Sequence, residues 1–508
     1  MTGPVEPEPG RRRRRSPDDS DHPVLVAGRA RRATLHPVRG RWVALSAVVA
    51  TVTVVAVIAA ALPTSAPGPA PGLADGVAVP PSGAYSSSAF CPTGAGTAPA
   101  TIFLTNSSPA IVSGVMTSVG QPGASAGTVP TVRRTVAVPA RGTAAVDPAK
   151  GLPSGSTATS FVFDGGGVVA SQAVTAGGSW STAPCASQPS AQWSFAGGST
   201  VAGNSLSLSL FNPSSTEAVV DISFLTGSGR ITPQSYQGLV VPAGQLVVEN
   251  VGDYVQNASA VATFVVAQSG TLVASQFQQL SSGPTGGVSL QLGAPALSDT
   301  WRFAQTTVEP KSTVDFTLAN PGSSSVTASV LVGLPSGTVV PRQVVVPPES
   351  TQVFAASSPG GLPRSVPCSV TVESAVPLVV GRAVQAPAGT TPPEWGASIG
   401  TVTAATGWVV PGPGVPGAPG TVGATATSLA LANPGPNPVR VKVALLGSGR
   451  TVAMVTVGPG RLTVLGPKVV GGLAVLTVTA AAPVFVEEDS DPTGAPGVVS
   501  STGFPVAG

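Results

Sequence analysis

Few residues of this 508-residue chain can do acid–base, nucleophilic or metal chemistry. The only two histidines, His22 and His36, precede an apolar run at residues 42–62, and the long body after it has none. That excludes Ser-His-Asp and Cys-His catalysis, imidazole metal sites and histidine bases from the body. Carboxylates remain. The densest cluster, Glu487-Glu488-Asp489-Ser490-Asp491, follows the strand-like Pro483-Val484-Phe485-Val486. Three roles stand open for it. Its oxygens could hold Ca²⁺ in a loop, or two acids could act as a glycosidase pair. The third and favoured reading is a solvated acidic end of the last domain, where like charges protect an edge strand. A glycosidase pair needs an aromatic-lined cleft, and aromatics are only 5% of the chain.

Cys91 and Cys185 bracket the first of the repeats described below and form the disulfide candidate, because the first and last strands of a sandwich can run side by side. Such a loop would contribute ~4–5 kcal/mol in the chain-entropy model. Cys368 lacks an evident partner and is expected to pack as a small apolar residue. Trp180, Trp193, Trp301, Trp395 and Trp408 suit either sugar stacking or a core role, and their places at repeat boundaries favour the core. No Gly-Lys-Ser/Thr phosphate loop occurs, and Gly165-Gly166-Gly167 reads as a hairpin turn. No catalytic, cofactor-binding or metal-ligating residue is assigned, and no cofactor is expected.

The elements that would position these residues follow from composition. Charged residues are 9% of the chain, against roughly 25% in ordinary soluble domains. Hydrophobic residues reach 42%, mostly Val and Ala interleaved with Ser, Thr and Gly, which excludes disorder for most of the chain and favours short strands. Before Trp42 stand ten Arg and five acids; after it, 15 basic and 17 acidic residues. The body is nearly neutral, so no nucleic-acid partner is expected.

Residues 42–62 (WVALSAVVATVTVVAVIAAAL) carry no charge and match the length of a transmembrane helix across a ~30 Å hydrocarbon core. All ten Arg residues flanking this segment lie on its N-terminal side and none follows closely, which keeps residues 1–41, a disordered basic tail, in the cytoplasm. A cleaved signal peptide is the competing reading, but its apolar core is usually about 7–15 residues. An uncleaved signal anchor is therefore expected: a single-pass cell-membrane protein with an extracytoplasmic C-terminal region. Residues 63–88 read as a Pro/Ala/Gly/Ser linker able to reach roughly 80 Å.

The remainder repeats. Asn106, Asn212, Asn320 and Asn433 each end an apolar strand, at intervals of 106, 108 and 113 residues. The last three precede Pro, which cannot continue a strand, while Asn caps its own turn. An alternating strand closed by Pro or Gly follows each, ending at Pro139, Pro242, Pro347 and Gly458, and an aromatic opens each repeat: Phe90, Trp193, Trp301 and Trp408. Period-two runs such as Arg440-Val441-Lys442-Val443 are strands with one wet face. About seven short strands per ~100 residues is the immunoglobulin-like pattern. An all-β chain is expected, with four tandem immunoglobulin-like β-sandwich repeats at residues 89–190, 191–298, 299–405 and 406–508, set end to end. Trp180 and Trp395 each lie 13 residues before the next opening Trp, and Gly-Ser-Gly-Arg occurs at residues 227–230 and 447–450, so a two-domain unit copied once is suggested.

Phe90-Cys91-Pro92, the Asn-Pro turns and the Val-Pro strand ends at Pro242 and Pro347 resemble a family of uncharacterised actinobacterial single-span envelope proteins, over roughly residues 85–505. The resemblance implies an envelope location and no known activity. The function expected is a non-enzymatic, membrane-anchored extracytoplasmic scaffold or adhesion protein contacting wall polymer or another envelope protein. The alternative is a carbohydrate- or wall-polymer-binding module array. Non-reducing peptide mapping of the exported protein should recover one linked peptide joining Cys91 to Cys185 and leave Cys368 free; three free thiols would refute the bridge.

Overall fold

A computed structural model describes residues 75–122, 129–176, 179–280, 286–337, 339–385, 395–412, 423–470, 475–493 and 499–506. All fall within one compact unit, Pro67–Gly508. The expected cytoplasmic tail (1–41), the transmembrane helix (42–62) and the start of the linker lie outside the described residues. Among the described residues no helix is long and apolar enough to cross a membrane. They are almost entirely β, with only single helical turns at Gln234–Tyr236, Val251–Asp253 and Pro467–Val470. The alternation read from the sequence is visible in the burial of Ala218–Thr226 and Val326–Gly333, where every second residue is buried along most of the strand.

The strands fall along the chain into four groups, here called lobes. In the first, one sheet contains Ser87–Pro92, Thr157–Phe163, Val112–Gly120 and Thr131–Val138, and a second contains Thr143–Val146, Ala100–Asn106, Val168–Ala176 and Ser179–Pro184. The second lobe repeats this division, with Gln192–Gly198 in one sheet and Ser205–Phe211 in the other. In the third and fourth lobes a single 18-residue strand, Cys368–Gln385 or Leu476–Thr493, serves both layers. Residues 165–167 are therefore not a hairpin turn. They carry the chain from one sheet of the first lobe to the other, where a Cβ on Gly166 would lie 1.8 Å from the Pro81 carbonyl oxygen.

The Asn residues do more than cap their own turns. Asn320 Oδ1 accepts from Gly322 N at 3.0 Å, while Nδ2 donates to Ser324 O at 2.8 Å and to Val346 O and Pro347 O at 3.3 and 3.0 Å. Asn106 and Asn433 make the same set, reaching the carbonyls of Val138 and Val457 and of the residues after them, and Asn212 makes it without the last bond, reaching Val241 O. All four are buried. The two sequence markers, Asn turn and Val-Pro strand end, are thus two ends of one hydrogen-bonded staple. The three opening Trp residues are buried, and Trp193, Trp301 and Trp408 donate Nε1–H to Leu272 O, Leu378 O and Val484 O. Phe90 is offset by one residue: its backbone bridges Ala186 as Ser194 and Arg302, the residues after Trp193 and Trp301, bridge Ala294 and Thr401.

The lobes do not run end to end. Each contributes an edge strand to a common centre: Ser179–Pro184, Gly287–Leu292, Trp395–Ile399 and Val499–Thr502. The first packs on the second, the second on the third, the third on the fourth, and the fourth returns to the first. Ser181 Oγ accepts from Leu290 N at 2.9 Å and Ser289 Oγ donates to Ala397 O at 3.0 Å. Around this closed cycle, the opening strand of one lobe abuts the Asn-bearing sheet of the next. Ser275 Oγ donates to Pro92 O between the first and second lobes. Between the second and third, a Cβ on Gly381 would lie 2.1 Å from Ala196 O, so only glycine permits that approach. The apolar cores merge accordingly: Ala196, Leu225 and Phe264 belong to the core of the third lobe, and Val169 and Phe504 to that of the second. Separate cores are excluded by this packing.

The linker ends earlier than residue 88. Val77, Ala78 and Val79 are buried, Ser87–Pro92 is already a strand, and residues 75–79 wedge between lobes. Asp75 accepts from Thr401 Oγ1, Val402 N and Thr403 N at 2.6, 2.7 and 3.1 Å, and Val79 N donates to Pro505 O at 2.8 Å. The reason is apolar patterning: Val77 and Val79 join the core around Trp193.

Asn320→Ala should strip the side-chain partner from four backbone groups, one of them the buried Val346 carbonyl, and lower stability by about 2–4 kcal/mol. Asn320→Asp should cost at least as much, because it points an acceptor at carbonyl oxygens. Denaturant titration of the two variants checks both.

Candidate functional site

The register between the Asn-bearing strands and their neighbours superposes four positions. Leu104, Leu210, Leu318 and Leu431 pair with Ala170, Ala274, Val380 and Val486. The next residues are Ser171, Ser275, Gly381 and Glu487, and after them Gln172, Gln276, Arg382 and Glu488. The acidic cluster therefore lies within a strand at a junction between lobes, where it cannot form the loop that Ca²⁺ ligation would use. Glu487 and Glu488 are 3% and 4% exposed, which overturns the solvated-end reading. Burial follows from cycle closure, because strands from two other lobes cover this one.

Arg382, 2% exposed, comes from the third lobe and forms an ion pair with Glu487 of the fourth. Its guanidinium also donates to Gln305 O, to Thr306 Oγ1 at 3.1 Å and to Ser398 Oγ at 3.2 Å, and lies 5.3 Å from the centre of the Phe303 ring. Glu487 Oε2 accepts from Gln305 N at 3.0 Å. Such a pair is charge-assisted, and its hydrogen bonds offset much of the desolvation that burial imposes. Asp489 accepts from Ser500 Oγ at 2.5 Å. Burial and the neighbouring Glu487 charge push its carboxyl up to about 7, against the opposing pull of Arg382 and Ser500. On the strand's opposite face, burial above all pushes Glu488 up to about 8.

Adjacent residues of a strand project to opposite faces, so Glu487 and Glu488 cannot flank one glycosidic bond. Among the described residues no three His, Cys, Asp or Glu side chains converge as a metal site. Asp491 lies where no side chain is described. A cavity of about 70 Å³ sits among the inner edge strands, bordered by Thr182, Gln291, Arg302, Ser398, Glu487 and Ser501.

Cys91 and Cys185 are disulfide-bonded with Cα atoms 4.7 Å apart, tying the opening strand of the first lobe to the chain just beyond its inner edge strand. Cys368 is buried, donates to Thr306 O at 3.2 Å, and has its thiol pushed up to about 12 by burial, which leaves it unreactive. All five tryptophans singled out in the sequence are buried, so none is a sugar-stacking platform. Arg382 was missed by sequence reasoning, although one Arg inside the apolar run Val379-Val380-Gly381-Arg382-Ala383-Val384 is itself a signal for a buried partner.

Residues 163–414 match a family of unknown function, DUF5719. The matched stretch includes the whole of the second and third lobes and Arg382. No curated protein matches the chain. Among solved structures, the crystal structure of Thermotoga maritima 1070 is 18% identical over 20% of this chain and 93% of its own, with a TM-score of 0.20. A tetra-tandem repeat from the extending region of a large adhesion protein is 14% identical over 78% of this chain and 92% of its own, with a TM-score of 0.11.

Arg382→Gln or Glu487→Ser alone should lower stability by about 3–5 kcal/mol, since each leaves one buried charge without a counter-charge. The double variant recreates the Gln172–Ser275 combination of the first two lobes and should lose far less than the two singles together. A double-mutant cycle by denaturant unfolding measures the difference.

Proposed function

We propose that this protein is a non-enzymatic, membrane-anchored extracytoplasmic scaffold or adhesion protein of the cell envelope. Residues 42–62 serve as its uncleaved signal anchor, and four immunoglobulin-like sandwiches form its body. The observation that carries this reading is the use made of the buried charges. Arg382 and Glu487, the residues best suited to chemistry, are engaged in joining two lobes, Asp489 is held by Ser500 of its own lobe, and among the described residues no substrate-sized cleft lies beside them. A body of this kind presents a large, firmly held surface, which suits contact with wall polymer or another envelope protein. The Cys91–Cys185 bridge supports an oxidising compartment. The carbohydrate-binding array has less support, because the aromatic residues that would stack on sugars are buried.

Protease added to intact, wall-stripped cells should digest the body and spare residues 1–41, and photo-crosslinking in intact cells should trap wall polymer or an envelope protein. A body protected from protease would overturn the topology. Hydrolysis of wall fragments by the purified full-length protein would overturn the non-enzymatic reading. Sugar-competed binding to wall fragments would favour the carbohydrate-binding array.

A further inference from the structure

The four superposed positions Gln172, Gln276, Arg382 and Glu488 are all buried, and each keeps one polar atom without a partner: Gln172 Nε2, Gln276 Nε2, Arg382 Nε and Glu488 Oε1. Two are neutral amides. The third carries a charge and meets Glu487 across the junction of the third and fourth lobes. The fourth, Glu488, faces the junction of the fourth lobe with the first, where the cycle closes. There it borders a cavity of about 10 Å³, roughly one water in size, shared with Phe103, Ser171 and Thr182 of the first lobe and Gly412, Ser490 and Ser501 of its own. Ser171 holds the register position that Glu487 holds at the previous junction. Where one junction opposes a cation to a carboxylate, the closing junction opposes a carboxyl group to a hydroxyl.

We propose that Glu488 is a proton latch on the closing junction: as a neutral acid it holds the fourth lobe on the first, and its ionisation releases that junction while the other three stay shut. An isolated carboxylate in a closed cavity is strongly disfavoured unless a cation or a full set of donors meets it. Gly412 N and the Ser490 hydroxyl supply donors, and Oε1 has none. From the first lobe, the cavity residues Phe103, Ser171 and Thr182 bring no charge and do not titrate near neutrality; from the fourth, neither do Gly412, Ser490 and Ser501. On its own strand the neighbours are Glu487, already paired with Arg382, and Asp489, whose negative charge opposes ionisation of Glu488.

The acid is raised from its ordinary value near 4.5 to about 8, so the folded state holds the proton longer than the unfolded one. The latch is therefore fully effective below pH ~4.5 and weakens as pH rises towards about 8. Within that window the open-to-closed ratio of the junction should increase by up to about tenfold per pH unit.

Hydrogen–deuterium exchange of the full-length protein at pH 6 and pH 8.5 tests this, with Glu488→Gln as the variant that copies Gln172 and Gln276. At pH 8.5, peptides covering 179–184 and 499–506 should exchange at least about tenfold faster in wild type than in Glu488→Gln. The gap should shrink markedly at pH 6, and peptides covering 287–292 and 395–399 should show none at either pH. Gln172→Glu should transfer the same pH sensitivity to the junction of the first and second lobes. If Glu488→Gln does not fold, wild type alone decides: exchange at 179–184 must rise with pH beyond that at 287–292 in the same samples. Equal profiles for wild type and variant would overturn the proposal. So would pH sensitivity that survives Glu488→Gln and vanishes in Asp489→Asn, or a wild-type profile flattened by added calcium or sodium, which would make the cavity a cation site.

Discussion

A strand at the edge of a sheet exposes backbone donors and acceptors that must be paired, covered or blunted. Four such edges meet at the centre of this protein, and each covers its neighbours. The arrangement follows from their composition. Gly287–Leu292 is buried along its whole length, and it is bonded to both neighbouring strands, through Leu290 N to Ser181 Oγ and through Ser289 Oγ to Ala397 O. An open row of lobes would leave the strands at 179–184 and 499–502 facing solvent. Head-to-tail contact closes only when the rotation per lobe sums to a full turn, and here it closes after four.

Closure explains the unusual electrostatics. The body has few charges, yet two of them, Arg382 and Glu487, lie deep between lobes. A buried ion pair adds little net stability over a well-packed apolar pair, but it penalises any mispairing that would leave either charge alone. In a chain of four similar lobes, alternative lobe–lobe pairings are the natural error. Arg382 meets Glu487 at one junction and Glu488 shares a cavity with Ser171 at the closing one, while the neutral Gln172 and Gln276 hold the corresponding strand positions in the first two lobes, so the junctions differ in charge. That variety distinguishes correct neighbours from incorrect ones.

The sequence made some of this legible. Asn turns, Val-Pro strand ends and opening aromatics recur at ~100-residue spacing because each performs the same local task in every lobe, and local tasks leave periodic marks. The staple linking Asn320 to Val346 and Pro347 joins residues 26 and 27 apart, within the span of one repeat. The pairing of Arg382 with Glu487 spans 105 residues and occurs once, so the lone Arg in its apolar strand signals a buried partner without identifying which residue it is. The acidic cluster misled for the same reason: carboxylates after an apolar strand look solvated until another lobe covers them. Val77-Ala78-Val79 reads as part of a Pro-rich linker because three apolar residues among Pro, Gly and Ala carry no period, and only the packing against other lobes buries them.

The wedge at residues 75–79 has a topological consequence. Val79 is hydrogen-bonded to Pro505 and bridged in parallel to Val506, so the two ends of the described body lie side by side. A cycle whose ends touch has no intrinsic starting lobe. Joining those ends and cutting the chain between two other lobes, as in a circular permutant, would keep nearly every contact in place, and with it every junction. The order of lobes along the chain is then one of four ways of cutting the same cycle open.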